Sequence, residues 1–160
     1  MVRLVPMTED DFREAMARAI PRHAANSVRR GHWREEAALE ASRREIAERH
    51  PQGVRTPNQF FAKILNEDDD TRVGETWYSS EEQGGKIRFW VDWIWIEPEY
   101  RRRGFATQVL ELLAKEAVQQ GADRMGLYVY TDNPGAMSLY TKLGYVTETM
   151  GMVRDLKRSL

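Results

Sequence analysis

The stretch Ile87–Arg88–Phe89–Trp90–Val91–Asp92–Trp93–Ile94–Trp95–Ile96 is apolar on both alternating faces, and it runs within eight residues into Arg101–Arg102–Arg103–Gly104–Phe105–Ala106–Thr107. Side chains alternate sides along a strand, so apolar residues at both parities mark a central strand covered on both faces. Asp92 is the lone acid in it and therefore stands out. The strand leads into an amphipathic helix from about Gly104 to Gln120, with Ala106, Val109, Leu110, Leu113 and Ala117 at helical spacing and Gln108, Glu111, Lys115 and Gln119 opposite.

Outward from this centre, Met125–Tyr130 reads as a short strand, Pro134–Leu143 as a helix capped by Gly144, and Tyr145 onward as a further strand. Upstream, Gln59–Leu65 and Arg72–Tyr78 read as strands, separated by the turn-forming Asn66–Asp70 and followed by Ser79–Gly85, which gives a three-stranded antiparallel meander. The first third reads as helical. Thr8 with Asp11 forms a capping-box start, Pro21 is expected to stop that helix near Ile20, and a second helix spans about Trp33 to His50.

A right-handed crossover through the Gly104 helix lays Met125–Tyr130 parallel to the Trp-rich strand. The expected fold is α/β (α+β), a mixed and mostly antiparallel sheet with helices on both faces. Ligands in such sheets sit beyond the carboxyl ends of the parallel strands, here near Ile96–Thr107 and Thr131–Asn133. One domain over 1–160 is expected, with a helical region at 1–57 and a core at 58–155.

Composition removes several classes. The chain has 160 residues and a mass of 18.7 kDa, with 24 Lys+Arg, 25 Asp+Glu and no cysteine. A length of this order buries roughly 68–70% of the unfolded surface, so no staple is needed. Without cysteine there is no disulfide scaffold, thiolate zinc site or thiol nucleophile. His23, His32 and His50 show no ligand-like spacing, so no metal is expected. A net charge of -1 argues against nucleic acid, the Arg-rich first fifty residues being balanced by their acids. No membrane-spanning run or signal sequence is evident, and a cytoplasmic location is expected.

Two segments carry chemistry. Between a buried strand and a helix start, Arg101–Thr107 offers unpaired backbone N–H groups, the positive end of a helix dipole, small residues and three cations, a natural seat for a phosphate or pyrophosphate. A tight turn with solvated arginines fits the same letters equally well. Neither a dinucleotide fingerprint nor a P-loop is present. In Asn133–Pro134–Gly135–Ala136–Met137–Ser138–Leu139–Tyr140, periodicity alone favours a capping Asn and a core Tyr.

Taken together, Arg101-x-x-Gly104-x-Ala106 after an apolar strand, and Asn133 seven residues before Tyr140 in Leu139–Tyr140-x-Lys142–Leu143–Gly144–Tyr145, resemble the GNAT superfamily of acyl-CoA N-acyltransferases over residues 58–155. Arg101 and Ala106 stand where the family often has Gln and Gly. The resemblance implies a central pair of splayed parallel strands and acetyl-CoA as co-substrate. Its pyrophosphate would lie on the Arg101, Arg102, Arg103, Gly104, Phe105, Ala106 and Thr107 loop, and its pantetheine arm along Ile94, Trp95 and Ile96, with Asn133 touching the arm from the other side. The N-terminal helices resemble the family's acceptor-flanking pair.

The resemblance also implies a direct transfer to an amine, with Tyr140 as proton donor to the departing sulfur. A protonated amine must lose a proton before it attacks. Asp92 is the best carboxylate for that task, because burial in an apolar strand raises its pKa. An ion pair with Arg88 is an equal reading, Glu75, Glu97 and a water chain are weaker sources of a base, and where many members of the resembled family carry an acid facing the acceptor, the Met125–Tyr130 strand offers Tyr128. The partner expected is a small-molecule or peptide amine, with a homodimer compatible with the family. A non-catalytic acyl-CoA sensor or scaffold is the alternative function.

Overall fold

The computed structural model describes residues 1–156. They form two compact units, Met1–Tyr128 and Val129 to the C-terminus. In the first, five strands lie in the order β1 (Val2–Pro6), β2 (Gln59–Asn66), β3 (Arg72–Gln83), β4 (Lys86–Ile96) and β5 (Met125–Leu127). All neighbours are antiparallel except β4 and β5, which run parallel. The mixed sheet expected from the sequence is therefore present, and the meander gains β1 as a fourth antiparallel strand.

The hairpin between β3 and β4 is longer than its turn-rich sequence suggested. Gln83 pairs with Lys86, and only Gly84 and Gly85 make the turn, both at positive φ. That is the two-residue geometry whose twist suits a hairpin.

Helices cover both faces. Phe61, Trp77 and Trp93 are aligned across β2, β3 and β4 and share one face. On this face Met7, Ala15, Met16 and Ala19 close a core with Phe61 and Trp77. Ala15, Met16 and Ala19 belong to α1 (Glu9–Arg29), which crosses α2 (Glu35–Arg49). The opposite face carries Phe60, Tyr78 and Phe89 in a stack, with centroids 5.0 and 5.2 Å apart. Burial, together with Glu116 of α3 (Phe105–Gln119), pushes the Tyr78 phenol pKa up, which puts α3 on this side. Val109, Leu110, Leu113 and Ala117 supply its buried stripe.

Pro21 does not stop α1. The helix begins at the Thr8–Asp11 capping box as expected and continues through the proline to Arg29. A proline in a helix interior costs about 3 kcal/mol through one lost hydrogen bond and a clash. The buried residues Ala15, Met16, Ala19, Ala24 and Ser27 run along α1 on both sides of it, and Ser42 Oγ from α2 donates to the Ile20 carbonyl at 2.9 Å. Packing outweighs the local break.

The second unit contains α4 (Pro134–Lys142). The strand expected from Tyr145 onward is absent among the described residues: 145–156 have no regular structure. A strand needs a neighbouring strand for its backbone groups, and α4 is the one regular element of this unit among the described residues.

Candidate active site

Asp92 occupies a β-bulge. Trp77 pairs with Trp93 and Tyr78 with Val91, so Asp92 has no opposite residue of its own. The extra residue re-aims its side chain, and Ser79 Oγ donates to Asp92 Oδ2 at 3.0 Å. Arg88 is not its partner: that guanidinium lies 3.8 Å from Glu81 and over the Trp90 ring at 4.3 Å. Burial raises the Asp92 pKa above the usual carboxylate value, opposed by the Ser79 hydrogen bond and the more distant Arg49 and Arg88.

Beyond the bulge the parallel pair divides. The β4–β5 ladder ends at Val91 and Leu127, while β4 continues to Ile96. Residues alternate sides in their hydrogen bonding along a strand. Glu97 donates its N–H to Val73 on β3, so the peptide groups of Ile94 and Ile96 are turned to the side that β5 has left. Trp95, one residue out of step, belongs to the β3 side. Of the three residues expected along the pantetheine arm, two thus present main-chain groups to the gap.

Trp90 pairs with Gly126, and a β-carbon at Gly126 would fall inside the Trp90 ring. Tyr128, considered from the sequence as a base on the Met125–Tyr130 strand, lies past the end of β5 and is 82% exposed, its ring 4.8 Å from that of Trp90.

From β4 the chain passes through a short 3-10 turn at Pro98–Tyr100 into the arginine loop. Arg102 has φ 64 and Gly104 φ 79, so the loop turns twice through the left-handed region before α3 starts. No side chain caps α3, and its first internal bond runs from Gln108 N–H to the Gly104 carbonyl. The N–H groups of Phe105, Ala106 and Thr107 therefore lack a partner within the helix, at its positive end.

The three arginines differ. Arg101 Nε donates to the Ile96 carbonyl at 2.9 Å and its guanidinium lies 4.5 Å from the Trp95 ring centre, bracing the loop on β4. Arg103 lies over Tyr100 at 5.5 Å. Arg102 is exposed.

In the second unit, Asn133 Oδ1 accepts from Ala136 N–H at 3.2 Å and caps α4. Tyr140 is 9% exposed, and burial raises its pKa. The C-terminus of α4 closes with Tyr145 N–H on the Tyr140 carbonyl and Gly144 N–H on the Thr141 carbonyl, with Gly144 at φ 85. This double closure is a Schellman motif, and it brings Tyr145 to 5.6 Å from Tyr140. Burial and Tyr140 together push the Tyr145 phenol up to about 12.

A buried ion cluster lies on the same face as Asp92. Glu75 is fully buried, and its Oε2 accepts from Arg18 at 2.8 Å and Arg72 at 2.9 Å. It pairs directly with Trp95, and Arg22 lies 3.7 Å from that ring centre. Arg18 and Glu75 are separated by 57 residues, so only strand parity could have hinted at the contact. With both arginines on one oxygen, Glu75 is bound as a structural anion, which leaves Asp92 as the freer carboxylate on this face.

The acetyltransferase (GNAT) family model matches residues 25–145. The chain belongs to the GNAT acetyltransferase family. It is 30% identical over 157 residues to the uncharacterized N-acetyltransferase YycN of Bacillus subtilis (strain 168), covering 97% of this chain and 99% of that one. It is also 28% identical over 153 residues to the uncharacterized N-acetyltransferase YdgE of the same organism, with 96% and 97% covered. The crystal structure of YycN superposes with a TM-score of 0.90 at 25% identity, over 98% of this chain and 99% of that one. This GNAT protein is thus an acyltransferase by kinship. No helix among its described residues is long and apolar enough to cross a membrane.

Proposed function

We propose that the protein transfers the acetyl group of acetyl-CoA directly to a primary amine of a small-molecule or peptide acceptor. The observation that carries this reading is the divergence of β4 from β5 after Val91, with the Ile94 and Ile96 peptide groups turned into the gap. The Ile94 peptide group, the Ile96 N–H and the α3 N–H groups that have no partner within the helix fit a molecule with an amide-bearing arm and a pyrophosphate. Ile94 and Ile96 would hold the arm, and Arg102, Arg103 and the Phe105–Thr107 amides the anion. Acetyl-CoA supplies an acetyl group already activated as a thioester.

The residues of the chain supply the proton transfers. Asp92 accepts the proton that an ammonium must lose before its nitrogen attacks. Burial raises the Asp92 pKa, which makes its carboxylate a stronger base than an exposed one. As the C–N bond forms and the C–S bond breaks, the Tyr140 hydroxyl, which burial keeps protonated, gives its proton to the leaving sulfur, and the second proton shed by the acetylated nitrogen restores the phenol. The Ile94 and Ile96 N–H groups are the donors available to the carbonyl oxygen as it gains charge. The reading places the reaction in the cytoplasm without nucleic acid or membrane as partner, supported by the near balance of 24 basic and 25 acidic residues.

Calorimetry with acetyl-CoA, with free CoA and ATP as comparators, followed by thiol release against a panel of amines, tests the proposal. Binding with amine-dependent release is expected. Binding with no release from any amine would make the protein a sensor, and no binding would overturn the reading.

A further inference from the structure

The ring of Trp95 carries two guanidiniums. Arg22 of α1 lies 3.7 Å from its centre and Arg101 lies 4.5 Å from it. Arg101 also donates through Nε to the Ile96 carbonyl. Arg22 has no such partner: its Nη1 is buried without a hydrogen bond, and no carboxylate among the described residues pairs with it. An arginine keeps its charge at any pH a fold withstands, and buried charges are ordinarily paired. Glu75 stands opposite Trp95 in the register, but its Oε2 accepts from Arg18 and Arg72. Arg18, Arg22, Arg72 and Arg101 thus share one acid.

The polar atoms around them are also donors. Trp77, Trp93 and Trp95 form one stack, and all three Nε1 groups are buried without a partner, as is Arg18 Nε. Guanidinium and indole N–H groups donate and never accept. Against these five orphaned donors, Arg22 Nη1 included, stands one buried acceptor without a partner, Glu75 Oε1. Indole faces alone would suit an ammonium, but with two guanidiniums on Trp95 a further cation is repelled. The group this surface lacks is an acceptor-only anion, and a carboxylate matches the fork of one unpaired guanidinium.

Asp92 faces the same side: Ser79, which donates to it, has the parity of Trp77 on β3. Trp95 follows three residues later on β4, roughly 10 Å away at the rise of a strand. A molecule that brings its amine to Asp92 and extends along the indole stack reaches Arg22 with its other end. We infer that the acceptor amine also carries a carboxylate, which Arg22 binds beside the Trp93 and Trp95 indole N–H groups. The inference rests on the acetyl-transfer reading for the place of the amine at Asp92, whereas the anion site is open to test by binding alone.

ε-Aminocaproate and its amide differ at the carboxylate alone. Calorimetric titration of the full chain with each, with CoA absent and present, should show the acid binding about tenfold or more tightly than the amide. Arg22→Gln should bring the two within about twofold of each other, and Arg22→Lys, which keeps the charge without the fork, should retain part of the preference. In thiol release the Gln variant should lose about 10- to 100-fold in kcat/KM for the acid, through KM, and little for the amide. Equal losses for acid and amide would make Arg22 a packing residue and overturn the inference. So would a wild-type protein that binds both alike, or an acetyl-CoA affinity that falls with Arg22→Gln and so puts a cofactor phosphate at the site. Thiol release from both amines without preference would overturn the anion site and leave acetyl transfer standing. Acid-selective binding that Arg22→Gln removes, with no thiol release from any amine, would support the anion site and overturn acetyl transfer instead.

Discussion

Ser79 Oγ reaches Asp92 Oδ2 across 3.0 Å at the one position where β4 carries a residue more than β3. The bulge gives Asp92 its direction, and the serine gives it a single neutral partner. An ionised carboxylate there is held by one hydroxyl rather than by a cation, so it keeps its basicity.

Asp92→Asn separates catalysis from stability. Thiol release should fall about 100-fold, and the low-pH limb of the wild-type rate profile, where activity is lost as Asp92 takes up a proton, should disappear. The folded-state pKa is raised, so the ionised carboxylate opposes folding above the unfolded value of 3.8. Melting temperature should therefore rise at pH 7 and change little near pH 3. An unaltered rate profile would assign the proton to another base.

The two tyrosines Tyr140 and Tyr145 should respond differently. Tyr140→Phe is expected to lower turnover about 100-fold with acetyl-CoA affinity changed less than about twofold. Tyr145→Phe removes a buried hydroxyl that has no hydrogen-bond partner, and should leave turnover intact with stability unchanged or slightly improved. Equal losses in both variants would show that ring packing, not proton donation, is what Tyr140 contributes.

Gly126→Ala tests the strand divergence. The added methyl must displace Trp90, at a cost of about 1–3 kcal/mol typical of overpacking. Urea unfolding measures that loss. Calorimetry should show acetyl-CoA affinity falling in parallel, and full affinity in a destabilised protein would detach the Trp90–Gly126 contact from binding.

His50 sets an acid limit. It is 5% exposed among Phe61 and Trp77, and burial and Arg49 lower its pKa to about 4. A histidine kept neutral contributes fully above the unfolded value of 6.5, and that contribution is lost as pH falls toward 4. The expected loss across the window is about 3 kcal/mol. His50→Phe should flatten the fall in melting temperature between pH 6.5 and 4, and an equally steep fall would place the acid sensitivity elsewhere.

How much was legible in the sequence depended on the range of each interaction. The two-faced apolar run at 87–96, the amphipathic stripe of α3 and the Thr8–Asp11 box are local patterns, and each produced its element. Pro21 misled because its cost is local while the packing that overrides it comes from α2 and the sheet. β1 escaped notice because five residues, ending in Pro6, make too short an alternation. Residues 145–156 have strand-like letters but no regular structure, because alternation alone does not supply a pairing partner. The Asp92 bulge could not be read at all, since a bulge is a property of register between two strands. The Arg18–Glu75–Arg72 cluster likewise exists only once α1 lies on β3.

Trp77 and Trp93 stack at 5.2 Å, and Trp93 and Trp95 at 6.3 Å, both nearly parallel. Indoles so disposed couple their electronic transitions and absorb polarised light as a unit. Trp95 also bears Arg22 and Arg101 on its rings, and Arg101 leads directly into the anion loop. The protein thus carries its own optical gauge at the point where its central strands separate: near-ultraviolet dichroism and intrinsic emission will register what enters that gap, in unlabelled protein and on the time scale of mixing.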